Sequence, residues 1–120
     1  MSPRGPKTMA RTRSLSPVQK LRNDLGLSRA EFARLMGASE RSLSDWESGE
    51  EPRQAHARLL TQLLRLHATA STVMKPEFVG TWLRTPLDAL GGLKPMEAIE
   101  RGELDRVWRL LFAVESGGHA

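Results

Sequence analysis

Five polar residues at helical spacing, Ser39, Glu40, Arg41, Ser42 and Asp45, are the part of this chain best suited to hydrogen-bonding chemistry. Arginine offers a fork of donors that matches the N7 and O6 atoms of guanine, and a carboxylate can accept from the amino group of cytosine. Arg41 is therefore the best candidate for a specific base contact, with about 1–3 kcal/mol of discrimination expected from a good bidentate pair. Glu40 and Asp45 depart from the pattern, because each brings negative charge toward a phosphate backbone. Catalytic chemistry finds less support. The chain has no cysteine and three histidines, His56, His67 and His119. His56 and His67 lie about 16 Å apart by helical rise, too far to share a metal ion. The GGLK run at Gly91–Lys94 lacks the spacing and the following hydroxyl of a phosphate loop, so its expected role is a turn. No cofactor, no metal and no enzymatic activity are expected.

Two short helices must position the polar set. Ser28 and Glu31 have the spacing of a capping box, which starts one helix, and Phe32, Ala33, Leu35 and Met36 form its apolar stripe. Gly37 supplies the turn. Ser39 caps the next helix, Leu43 and Trp46 face inward from it, and Gly49 ends it. Two helices joined at an angle by a glycine turn read as a helix-turn-helix, with Ser39–Asp45 on the recognition helix and Arg29 placed for a phosphate. Before them, Pro17 begins a helix with Val18, Leu21 and Leu25 on one face, closed by Gly26. After them, Pro52 is expected to start a long helix carrying Ala55, Leu59, Leu60, Leu63, Leu64 and Leu66 through about Thr69. This order of helices resembles the Cro and phage-repressor class. The resemblance implies double-stranded operator DNA as partner, with Ser28, Arg29, Ser39, Glu40, Arg41, Ser42 and Asp45 as candidate contacts. A short recognition helix reads only a few base pairs, so a homodimer on half-sites about 34–36 Å apart is expected.

Charge is graded along the chain. Residues 1–14 carry Arg4, Lys7, Arg11 and Arg13 and no acid, whereas residues 76–120 carry five basic and seven acidic residues. The basic arm either lies along phosphates or is a solvated tail. No apolar run approaches the roughly 18 residues of a membrane span, so a soluble, cytoplasmic protein is expected.

The last third is a second lobe. Ala68–Lys75 fits a hinge or the end of a long helix, and Glu77–Arg84 is expected to form a helix with Phe78, Val79, Trp82 and Leu83 on one side. A connector, Leu90–Leu93, precedes a short helix from Pro95 with Met96 and Ile99 inward, which Gly102 stops. A final helix runs from Glu103 to about Ser116 with Leu104, Val107, Trp108, Leu111, Phe112 and Val114 as apolar positions. No segment alternates with a period of two, so the fold is all-α. The expected organisation is a basic arm over 1–14, a helix-turn-helix domain over 15–70 and a second domain over 76–118.

The order Trp82-Leu83, Pro86, Leu90-Gly91-Gly92, Pro95, Gly102-Glu103, Val107, Leu110-Leu111 resembles the C-terminal toxin-binding region of Xre/MbcA/ParS-type antitoxins. The resemblance implies an antitoxin that blocks a RES-domain toxin, an NAD-consuming enzyme, and represses its own operon. Candidate toxin contacts are Trp82, Arg84, Trp108 and the tail residues Glu115, Ser116, Gly117, Gly118 and His119, the tail by analogy being the element that approaches the toxin's active site. For each tryptophan the competing role is core packing, and for the tail a frayed terminus. A lobe of about 45 residues has too little interior to stand alone, so it should pack on the Leu-rich long helix. A stand-alone repressor and a protein-only binder are the competing functions.

Overall fold

The computed structural model describes residues 15–116, which form seven α-helices and two short 3-10 turns with no strand among them. The basic arm, residues 1–14, and tail residues Gly117, Gly118 and His119 lie outside the described residues.

Local chemistry explains most of the helix ends. Helix α1 spans Pro17–Leu25, with the Ser16 hydroxyl accepting from the Gln19 backbone N–H and Gly26 leaving it at φ 67°. Helix α2 spans Arg29–Met36 and begins with a complete capping box: the Glu31 N–H donates to Ser28 Oγ at 3.0 Å, and the Ser28 N–H donates to Glu31 Oε1 at 2.8 Å. Gly37 at φ 66° then closes α2, a conformation in which a side chain is strained. Helix α3 spans Glu40–Glu47 and is capped by Ser39.

Helix α4 spans Gln54–Val73, starting two residues later than Pro52 and ending four residues beyond Thr69. Its start has no side-chain cap, and Gln54 itself takes φ 45°. Of the two roles open to Ala68–Lys75, the end of a long helix is the one observed. Ala70 is fully buried and Val73 and Met74 pack partly against the core, so tertiary contact outweighs the weak helix preference of Thr69, Ser71 and Thr72.

Beyond α4 the chain doubles back. Pro76–Phe78 is a 3-10 turn and only Val79–Leu83 is α-helical, forming α5. The 3-10 geometry advances three residues per turn, which takes Phe78 off the face it was expected to share and leaves it 46% exposed, while Val79, Trp82 and Leu83 are buried. A second 3-10 turn, Asp88–Leu90, leads into Gly91 and Gly92, where Leu87 both donates to the Leu93 carbonyl and accepts from the Gly92 N–H. Helix α6 spans Pro95–Glu100 and α7 spans Leu104–Glu115.

One continuous apolar core runs through the described residues. It joins Phe32, Leu35 and Leu43 to Leu63, Leu66, Val79, Leu90, Ile99, Val107 and Leu111. Helix α4 packs against α7 as expected, and α2 packs against α6. Helix α5 lies close on the end of α1: a Cβ on Gly80 would overlap the Leu25 carbonyl oxygen and lie 3.1 Å from its carbon. In an isolated helix Gly80→Ala would gain about 1 kcal/mol from propensity. Here backbone blocks the methyl, so the substitution is expected to destabilise the protein by about 1–3 kcal/mol in thermal or urea unfolding. A variant more stable than the parent would show that the helices separate at little cost.

Candidate nucleic-acid and partner interfaces

On α3 the fully buried Leu43 and the nearly buried Trp46 fix the helix by its inner face. Glu40 and Arg41 are exposed, and Ser42 and Asp45 are partly so. Arg41 has no ion-pair or hydrogen-bond partner among the described residues, which leaves its guanidinium available at the N-terminal turn. Ser39 and Ser42 are engaged with each other: the Ser42 N–H donates to Ser39 Oγ at 3.0 Å, and the Ser39 hydroxyl donates to Ser42 Oγ at 3.1 Å. Their first role is to start the helix.

The far end of α3 is held by a buried carboxylate. Glu47, 5% exposed, accepts two hydrogen bonds from Arg22 of α1 at 2.6 and 3.2 Å, and Arg22 also donates to the Leu27 carbonyl. Arg29 reaches the same carboxylate at 3.4 Å while its side chain remains 57% exposed. The expected phosphate ligand is thus a tethered group, with part of its charge compensated by Glu47. A four-residue step from Leu43 puts Glu47 on the inward face, which is the sequence signal for this buried acid. His56 does structural work, tilted against Trp46 at a ring separation of 5.1 Å with Nε2 3.4 Å from the Gly37 carbonyl oxygen.

The candidate partner contacts fall into separate groups. Trp82 is core, 9% exposed. Arg84 is engaged inside the chain, donating to both oxygens of Glu31 at 3.0 and 3.3 Å and to the Gly26 carbonyl oxygen at 2.7 Å. The capping-box carboxylate therefore serves as cap and as inter-helix bridge, and Arg34 to Glu100 at 3.7 Å adds a second link between α2 and the C-terminal helices. Trp108 is half-buried and stacks on Phe112 with centroids 5.4 Å apart. Glu115 and Ser116 are exposed at the end of α7, where the Ser116 hydroxyl donates to the Phe112 carbonyl. Among the described residues no cluster of three His, Asp or Glu side chains has the geometry to hold a metal ion, and no helix is long and apolar enough to cross a membrane.

Two capped helices joined through Gly37, the second offering an exposed polar face, define a helix-turn-helix protein. Residues 18–70 match the helix-turn-helix family, and residues 71–117 match the antitoxin Xre/MbcA/ParS C-terminal toxin-binding domain. In the order of these two matched regions the chain is similar to the Xre/MbcA/ParS antitoxins. It is 28% identical over 94 residues to the mycobacterial cidal antitoxin MbcA of Mycobacterium tuberculosis and of Mycobacterium bovis, an alignment covering 78% of this chain and 83% of each relative. Its fold is similar to a chain in the crystal structure of the M. tuberculosis MbcT-MbcA toxin-antitoxin complex, with a TM-score of 0.72 and 26% identity, over 88% of this chain and 96% of the other.

Arg84 and the Ser28 N–H hold the Glu31 carboxyl down to about 2, against 4.5 for an ordinary glutamate, the arginine being the larger cause. A depressed carboxylate stabilises the fold above its unfolded pKa and loses that contribution as the pH falls through the folded one. Arg84→Met is accordingly expected to cost about 1–2 kcal/mol near neutral pH, a value discounted for the partial exposure of the pair. The gap between parent and variant should close as pH drops from about 4.5 toward 2. Urea midpoints across that window test it, and a gap independent of pH would mean that the lost stability is not electrostatic.

Proposed function

We propose that this chain is a type II antitoxin that captures and neutralises a RES-type, NAD-consuming toxin in the cytoplasm and represses its own operon as a DNA-bound homodimer. The observation that carries this reading is the joining, within one continuous core, of a helix-turn-helix with an exposed recognition face to a toxin-binding domain. The relatives support it in kind: MbcA is named as an antitoxin, and its fold was solved in complex with MbcT. On this reading it works by binding, not by catalysis.

On the DNA side, Arg41 contacts base edges, with Glu40 and Asp45 limiting which bases are accepted. Arg29 meets a phosphate from its Glu47 tether, while Ser28, Ser39 and Ser42 keep the two helices in register. The basic arm adds sequence-independent affinity through counterion release. On the toxin side, the half-buried Trp108 lies at the interface and the tail from Glu115 to Ala120 enters the toxin's cleft. Trp82 and Arg84 act from behind, by holding the lobe in place.

Coexpression with the adjoining toxin gene tests the pairing: growth should stop with the toxin alone and return when this chain is supplied. Arg41→Ala should lower operator affinity by about 10- to 100-fold, the loss of one bidentate base pair, with toxin rescue intact. A mobility-shift titration against its own promoter measures this, and unchanged binding would remove Arg41 from the interface. Deleting residues 115–120 should release toxicity while DNA binding is kept, and full neutralisation by the shortened chain would discard the tail as the blocking element.

A further inference from the structure

Helix α7 is apolar over more of its circumference than the fold uses. At 100° per residue, its apolar positions from Leu110 through Val107, Leu111 and Leu104 to Trp108 and Phe112 sweep an arc of roughly 200°. Packing one face against a core needs about half of that. Val107 and Leu111 take up the buried part and are fully enclosed. The surplus is concentrated in the last two turns, where Phe112 is 52% and Val114 40% exposed. Phe112 is not a loose side chain, since it is already stacked on Trp108 at 5.4 Å with 30° between the rings. Phe78 and Leu64 are also exposed, but neither has an aromatic partner.

We infer that the Trp108–Phe112 stack is the apolar anchor over which a toxin polypeptide closes a pocket. The inference rests on the antitoxin reading above and adds the residue that would carry most of the capture energy. Three observations choose this occupant. The stack lies inside residues 71–117, the segment matched by the toxin-binding domain. It immediately precedes the chain end proposed to enter the toxin's cleft, so anchor and blocking element are continuous. Both arginines of α7 are compensated close to the stack, Arg106 by Glu103 at 2.8 Å and Arg109 by Asp105 at 3.0 Å, which favours an apolar contact there. A second copy of this chain is the competing occupant, which the oligomeric state of Phe112→Ala separates from the toxin. A pre-stacked ring pair also loses little rotamer freedom on docking, which favours aromatic anchors at interfaces.

The test uses the full chain and the toxin from the adjoining gene, inactivated by substitution so that it can be purified. Phe112→Ala should raise the dissociation constant by about 10- to 100-fold, as expected when an interface anchor is truncated. Phe112→Leu should recover part of the loss, and Trp108→Ala should weaken capture similarly. Far-UV circular dichroism, the melting temperature and operator binding of Phe112→Ala should match the parent, since the ring is half in solvent. Tight capture by parent and Phe112→Ala alike overturns this inference alone. Conversion of a dimer to a monomer by Phe112→Ala with toxin affinity kept overturns it in favour of self-association. A parent chain that captures no toxin overturns the antitoxin reading and the anchor with it.

Discussion

The carboxylate of Glu31 is shared between two structural duties, and that sharing ties the helix-turn-helix to the helices that follow it. One oxygen completes the cap that starts α2, the helix that supports the recognition helix. Both oxygens accept from Arg84, which follows α5 directly and bonds at the same time to the carbonyl that closes α1. Ser28, Gly26, Glu31 and Arg84 therefore fix three helix ends against one another. Beside them the bare backbone of Gly80 rests on Leu25, and the apolar core continues without interruption into α7. The helix-turn-helix and the C-terminal helices are thereby held as one block.

The electrostatics of the recognition unit are finely divided. Glu47 is buried beneath two arginines, and a carboxylate that deep persists because Arg22 meets it bidentately. The outer face of α3 keeps a single arginine between Glu40 and Asp45. Such a face presents a local positive charge whose effect depends on side-chain geometry, in contrast to folds that carry a broad basic field.

What could be read from the sequence was set by distance along the chain. Caps, glycine turns and apolar stripes act within four residues, and Ser28 with Glu31, Gly37, Ser39 and the Val107–Leu111 pair were all legible for that reason. Periodicity puts Phe78 on the apolar face of a helix, but a 3-10 turn and an α-turn differ by one residue, a difference periodicity cannot resolve. The Arg84–Glu31 bridge spans 53 positions and has no local signature. Gly80 is equally silent: in sequence it reads as a weak helix former, and only the approach of Leu25 gives it a purpose. Phe112 fits the apolar pattern of α7 as well as Leu111 does, and only the packed arrangement shows Leu111 enclosed and Phe112 half in solvent.

The family boundary between residues 70 and 71 falls inside α4, a single uninterrupted rod of 20 residues. A rod cannot absorb length as a loop does. Adding or removing one residue there would rotate everything downstream by about 100° and slide it by about 1.5 Å, misaligning Arg84 with its carboxylate and Gly80 with its carbonyl. Joining a different helix-turn-helix half to this C-terminal half would keep those contacts only where helical phase is preserved.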